Sequence, residues 1–138
     1  MSTEEQSVND SSPPKIVTGE IIISSLTNPF RNATVHIRLE DVSYADTRAS
    51  LIAEKILAAI SHTGGAQDTA VSFTIELTSE QAAKIQPEND YTVRVWVDVD
   101  NDGERDADDL YSTEQYSILT RGSGSHVTIH VASRQREN

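Results

Sequence analysis

The chain has 138 residues, with 11 Lys and Arg against 22 Asp and Glu, and no cysteine. That length fits one domain with tails, and the missing cysteines exclude disulfides, thiolate metal sites and thiol nucleophiles. A formal charge of −11 argues against nucleic acid and against an anionic membrane surface, because both draw on clustered Lys and Arg.

The N-terminus, MSTEEQSVNDSSPPK, has neither the basic start nor the apolar stretch of a secretory leader. As given, the chain therefore reads as cytoplasmic; a native leader, if removed, would make it periplasmic or extracellular. Residues 1–15 are too polar to offset their ordering entropy and read as a disordered tail, as do 133–138, which leaves a domain over 16–132. No run approaches the ~20 apolar residues of a membrane span.

Period-two alternation then dominates. GEIIIS (19–24) is a β-rich run closed by TNPFRN. ATVHIRLED sets Val35, Ile37 and Leu39 on one face, and His36, Arg38 and Glu40 on the other. VSFTIEL repeats the pattern with Val71, Phe73, Ile75 and Leu77, and YTVRVWV with Tyr91, Val93, Val95 and Val97. STEQYSILT (112–120) and HVTIHV (126–131) are the last two strands, with Ile118 or Leu119, Val127, Ile129 and Val131 turned inward.

Two segments break the alternation. SEQAAKI (79–85) follows Thr78, an N-cap with Gln81 at the capping-box position, so a short helix is expected there. RASLIAEKILAAI (48–60) has helical propensity but also reads as a strand around LIAEKIL, and local pattern does not decide between them. The fold expected is all-β: an antiparallel two-sheet β-sandwich of about seven strands with one short helix.

The chemistry concentrates in VDVDNDGERDADDL, residues 97–110. Counting from Asp98, acids fall at one (Asp98), three (Asp100), five (Asp102), nine (Asp106) and twelve (Asp109), with Gly103 at six. This is the spacing of a calcium-binding loop. Calcium wants six to eight hard oxygens loosely arranged, alternate residues of a tightening turn project theirs to one side, and glycine permits the bend. Glu104, at seven, would offer its backbone carbonyl. The pattern departs from a helix-loop-helix hand in three ways: Asp stands at twelve instead of Glu, Arg105 occupies the usually apolar eighth position, and strands flank the loop. One structural site bridging two strands is expected, with Ca2+ preferred because magnesium rarely uses all-protein cages. The competing reading is a solvated hairpin connection. Seven acids against Arg105 make an ion-free loop costly, since like charges ~5 Å apart repel by roughly 0.8 kcal/mol per pair even in bulk water.

Other candidates are weaker. His126 and His130 share the polar face of the last strand and would form a zinc or acid–base site with His36 only if those strands adjoin. Trp96 is a candidate anchor for a partner if exposed. No nucleophile elbow or phosphate loop appears, and calcium-ligating carboxylates make poor general acids, so the chain is not expected to be an enzyme.

LEDVSYADTRASLIAEKIL, VSFTIEL, IQPENDYTVRVWVDVDNDG and TEQYSILTRGSGSHVTIHV together resemble the YbaY/YscW-like family of small β-sandwich lipoproteins, over roughly residues 17–132. The resemblance implies a seven-stranded sandwich with LIAEKIL as a strand. It also implies a second functional reading, since one member group is a pilotin that escorts and anchors the outer-membrane ring protein of a secretion system. The calcium-type loop reads as an addition seen in only some relatives, and the lack of a lipoprotein leader with its lipidated cysteine is a departure from the family pattern. The expected partners are thus a calcium ion and, on the pilotin-like reading, a protein.

Overall fold

The computed structural model describes residues 16–43, 49–120 and 122–133. The expected tail at 1–15 lies outside the described residues, as does the C-terminal one apart from Ser133, which ends a strand. In chain order the elements are β1 (Ile16–Ile23), β2 (Phe30–Asp41), β3 (Ser50–His62), β4 (Thr69–Glu76), α1 (Ser79–Ala83), β5 (Tyr91–Asp98), β6 (Leu110–Ser112), β7 (Tyr116–Ile118) and β8 (His126–Ser133).

Alternation sets the buried face where the sequence places it. Val35, Ile37 and Leu39 of β2, Val71, Phe73 and Ile75 of β4, and Tyr91, Val93, Val95 and Val97 of β5 are all buried. Ile129 and Val131 of β8 join them, and Ile118 is the inward choice over its partly buried neighbour Leu119. At Gly19 in β1 a side chain would collide, because a Cβ there would lie 2.5 Å from the Phe73 ring and 2.6 Å from the Val127 carbonyl oxygen. The segment 48–60 is a strand from residue 50 on, paired antiparallel to β2 along its length. Its helical propensity is overridden because Ala53 and Leu57 meet Leu39 and Val35 across the ladder.

The architecture departs from the expected sandwich. The eight strands among the described residues lie in one sheet of order β3-β2-β5-β6-β8-β1-β4, with β7 pairing the start of β5. The sheet is not wholly antiparallel, since β1 and β8 pair in parallel from Thr18–His126 to Ile23–Val131. It curls into a nearly closed, barrel-like shape, and its two edge strands, β3 and β4, come back toward each other. A 2.7 Å hydrogen bond between His62 Nδ1 and Thr69 Oγ1 pins them at one end. Irregular register between β2 and β3, with Asn32 (φ 61°) and Ala59 (φ 59°) in the left-handed region, supplies local bends. A one-sided alternating strand specifies that one face is buried; whether a second sheet covers it or the sheet's own curl does is decided elsewhere in the chain.

The expected strand at 112–120 is divided. β6 pairs Trp96 and Val97 at the end of β5, β7 pairs Tyr91–Val93 at its start, and the turn between them carries the exposed Glu114 and Gln115. The helix forms as the capping box predicts: Gln81 N–H donates to Thr78 Oγ1 (3.0 Å) and Thr78 N–H donates to Gln81 Oε1 (2.9 Å).

Candidate functional site

The acidic loop joins β5 to β6. Asp98 ends β5 with its side chain buried, and its carboxylate accepts the backbone N–H of Gly103 (2.8 Å) and of Asp102 (3.3 Å). Those bonds wrap the chain around Asp98, and the left-handed backbone at Asn101 (φ 57°) and Gly103 (φ 79°) allows the turn. The Thr34 hydroxyl donates to Asn101 Oδ1 at 2.7 Å and moors the turn to β2.

Asp109 closes the loop. It is fully buried and accepts from Trp96 Nε1 (2.8 Å), Val99 N (3.1 Å) and Asp106 N (3.4 Å). The Tyr111 hydroxyl donates to the Asp106 carbonyl oxygen at 2.7 Å. The two buried carboxylates are therefore held by N–H donors, while Asp100, Asp102, Glu104 and Asp106 are exposed.

The five residues expected to bind through their carboxylates converge. One carboxylate oxygen each from Asp98, Asp100 and Asp102 lie within 4.8 Å of one another, and so do oxygens from Asp100, Asp106 and Asp109. Two oxygens bound to one calcium at ~2.4 Å are at most about 4.8 Å apart, so both triads are compact enough to share an ion. Asp100 belongs to both. Glu104, expected to bind through its backbone carbonyl, contributes no carboxylate to either triad; its N–H donates to Asp102 Oδ1 (2.9 Å).

The crowding is visible in the acidities. The Asp100 carboxyl is pushed up to about 6 by lost hydration, by hydrogen bonds shared with Asp98 and Asp102, and by the charges of Asp102 and Asp106. Asp102 moves down, chiefly because the Glu104 N–H stabilises its anion. Burial raises Asp109, against the pull of its Trp96 and Val99 donors.

Trp96 is not a bare anchor. Its ring stacks on His36 (centroids 4.3 Å apart, 14° between planes), and the Arg105 guanidinium lies 4.9 Å from its centroid on a cation–π contact. This explains the charged residue at the eighth loop position: Arg105 turns back to the sheet instead of pairing with a second loop. Beside it, the buried Glu40 accepts from Arg38 Nε (3.1 Å) and Arg94 Nε (3.0 Å). Sequence reasoning missed this cluster. Its one signal was Arg105 standing where an apolar residue is usual.

The structure does not assemble the histidines. His36 lies on β2, separated from β8 by β5 and β6. His126 Nδ1 meets Thr18 Oγ1 (2.7 Å), and buried His62 bonds Thr69 and the Thr27 carbonyl oxygen.

A family model described as type III secretion system lipoprotein chaperone (YscW) matches residues 12–131. The chain belongs to this YscW family. The match takes in all of the described strands except the last two residues of β8, and it bears out the YscW side of the resemblance. Among solved structures, one described as an alternative pilotin from the type II secretion system of Vibrio cholerae aligns with a TM-score of 0.62 at 24% identity, covering 85% of this chain and 96% of that one. At that identity the likeness is one of fold. No curated protein matches. The YscW family is described by a chaperone role and not by a reaction, and its lipoprotein description gives the cytoplasmic expectation no support. Among the described residues no helix is long and apolar enough to cross a membrane.

Proposed function

We propose that this chain is a pilotin-like chaperone or adaptor for a partner protein of a secretion machine. The observation that carries the reading is the family match over residues 12–131, which spans nearly the whole sheet. The molecule offers surface for such a role. Leu51 and Ile56 are exposed on the edge strand β3, and Leu26 is 91% exposed on the loop after β1. An edge strand with unpaired backbone groups and apolar side chains is a ready acceptor for an extended segment. Lys55, at the inward register opposite Ile37 yet exposed, discourages indiscriminate pairing there. The test mixes the purified full chain with the outer-membrane ring protein of its host's secretion system and reads complex formation by size-exclusion chromatography. Co-elution is expected; two separate peaks across micromolar concentrations overturn the reading.

A second reading concerns the loop and is compatible with the first. The two carboxylate triads meeting at Asp100 favour a single calcium ion that ties β5 to β6. At ~100 times its dissociation constant such an ion adds about 2.7 kcal/mol of stability. Calcium should raise the melting temperature and EDTA should reverse the rise. Asp100→Asn should abolish it without lowering the ion-free melt, because Asp100 is exposed and its charge is crowded by neighbouring acids. A melt indifferent to both calcium and EDTA sinks this reading.

A further inference from the structure

Six basic side chains stand among the described residues: Arg31, Arg38, Lys55, Lys84, Arg94 and Arg105. Three of them, Arg38, Arg94 and Arg105, line one small cleft against Trp96, in a chain of net charge −11. We infer that this cleft is the acceptor for a single carboxylate side chain on the partner protein.

The geometry sets the ligand chemistry. Glu40 engages Arg38 and Arg94 through Nε, which fixes both side chains and leaves their terminal nitrogens as donors. Arg38 turns one of these toward Glu54 (3.6 Å), whereas Arg94 has Glu40 as its only ion-pair partner among the described residues and is half exposed. Arg105 approaches from the other side, over the indole. Guanidinium forks match a planar carboxylate, and the Trp96 ring removes water from one wall, which strengthens the pairing. The cleft holds about 70 Å³, room for roughly two waters, which suits one carboxylate and not a sugar or a nucleotide.

The source of the carboxylate follows from two further observations. Terminal carboxylates are typically held by nests of backbone N–H groups, and the Val95 N–H at this cleft is already used by Ser112 Oγ (3.3 Å). A side-chain carboxylate therefore fits better. The acidic loop next to the cleft carries seven acids against Arg105, so a polyanion would be repelled. The segment that docks is neutral or basic overall, with one Asp or Glu set among uncharged or cationic residues. That the carrier is a protein rests on the chaperone reading; the carboxylate preference does not.

Trp96 is the chain's only tryptophan, so its emission reports this cleft directly. The probe is Ac-Lys-Ala-Glu-Ala-Lys-NH2, titrated into the full chain in parallel with the same peptide carrying Gln in place of Glu. The Glu peptide is expected to bind at least tenfold more tightly, and R94Q should shrink the difference below twofold in a protein that circular dichroism shows still folded at the assay temperature, though melting lower because Glu40 keeps only its Arg38 donor. R105Q, on the exposed loop, is the second variant, read by calorimetry because it alters the indole environment itself. Equal affinities for the two peptides, or a Glu preference that survives both substitutions, overturn the inference. Ring-protein binding in the chromatography test is scored separately: a complex that forms while the peptides bind alike would leave the chaperone reading intact and remove only the carboxylate acceptor.

Discussion

Trp96 shows how much one side chain can organise here. Its ring lies between His36 and Arg105, and its N–H serves Asp109, which has no exposed surface. A buried carboxylate tolerates its charge only while donors surround it. Trp96→Phe keeps most of the stacking area but removes the 2.8 Å donor, leaving Asp109 Oδ2 with the longer Asp106 N–H. The expected cost is about 1–3 kcal/mol, seen as a lower urea midpoint by circular dichroism with an unchanged slope. A midpoint equal to the native one would mean that water replaces the indole N–H without loss. None of this was legible in the alternation of YTVRVWV, which places Trp96 on the polar face but does not say what covers it.

At the level of elements, the acidic loop and α1 make contrasting predictions. The helix is short, with its capping box at one end and Ala82 as its buried residue, so its signals are local and its stability contribution is small. Thr78→Ala should cost about 1 kcal/mol and shift the melt by a few degrees without changing the fold. The loop should respond to pH in a sense set by Asp100. Its folded carboxyl titrates at about 6, above its ordinary 3.8. In the ion-free protein this group therefore stabilises fully below the ordinary value, and that contribution is lost as pH rises through about 6. Asp109, also raised, acts in the same sense; Asp102, lowered, contributes above the ordinary value and loses that contribution as pH falls. Calcium binding has the opposite demand, because its ligands must be ionised. The difference between calcium and EDTA melts should thus be large at pH 7.5 and much smaller at pH 5, whereas a difference constant across that range would exclude Asp100 as a ligand. The D-x-D-x-D-G spacing made this loop the most readable feature of the chain, since the ligand atoms come from a dozen consecutive residues. The arginine cleft was unreadable because Arg38, Arg94 and Arg105 come from β2, β5 and the loop, and only the ladder between β2 and β5 sets Arg38 opposite Arg94.

For the whole molecule, β8 matters out of proportion to its length. It lies between β6 and β1, so the last described strand joins the first described one to the rest of the sheet. A chain ending at Ser125 should lose cooperative unfolding altogether, since β1 and β4 would be left without a ladder to the other strands, held only by side-chain contacts such as His62–Thr69 between the sheet's edges. A sharp thermal transition in that truncation would show that the sheet closes without β8. The many long-range pairings, Thr18 with His126 among them, also place folding in the slow, millisecond-to-second range of β-topologies. Periodicity, turn residues and capping are short-range properties, and from them the chain alone specified an all-β domain, most of its inward residues, the position of α1 and a ligand-spaced acidic loop. Strand order, the parallel β1–β8 pair, the curl that brings β3 toward β4 and the covering of Trp96 arise from contacts between residues tens of positions apart. The free energy of those contacts depends on which surfaces meet in space, and a local pattern compatible with several partners carries no record of the one that forms.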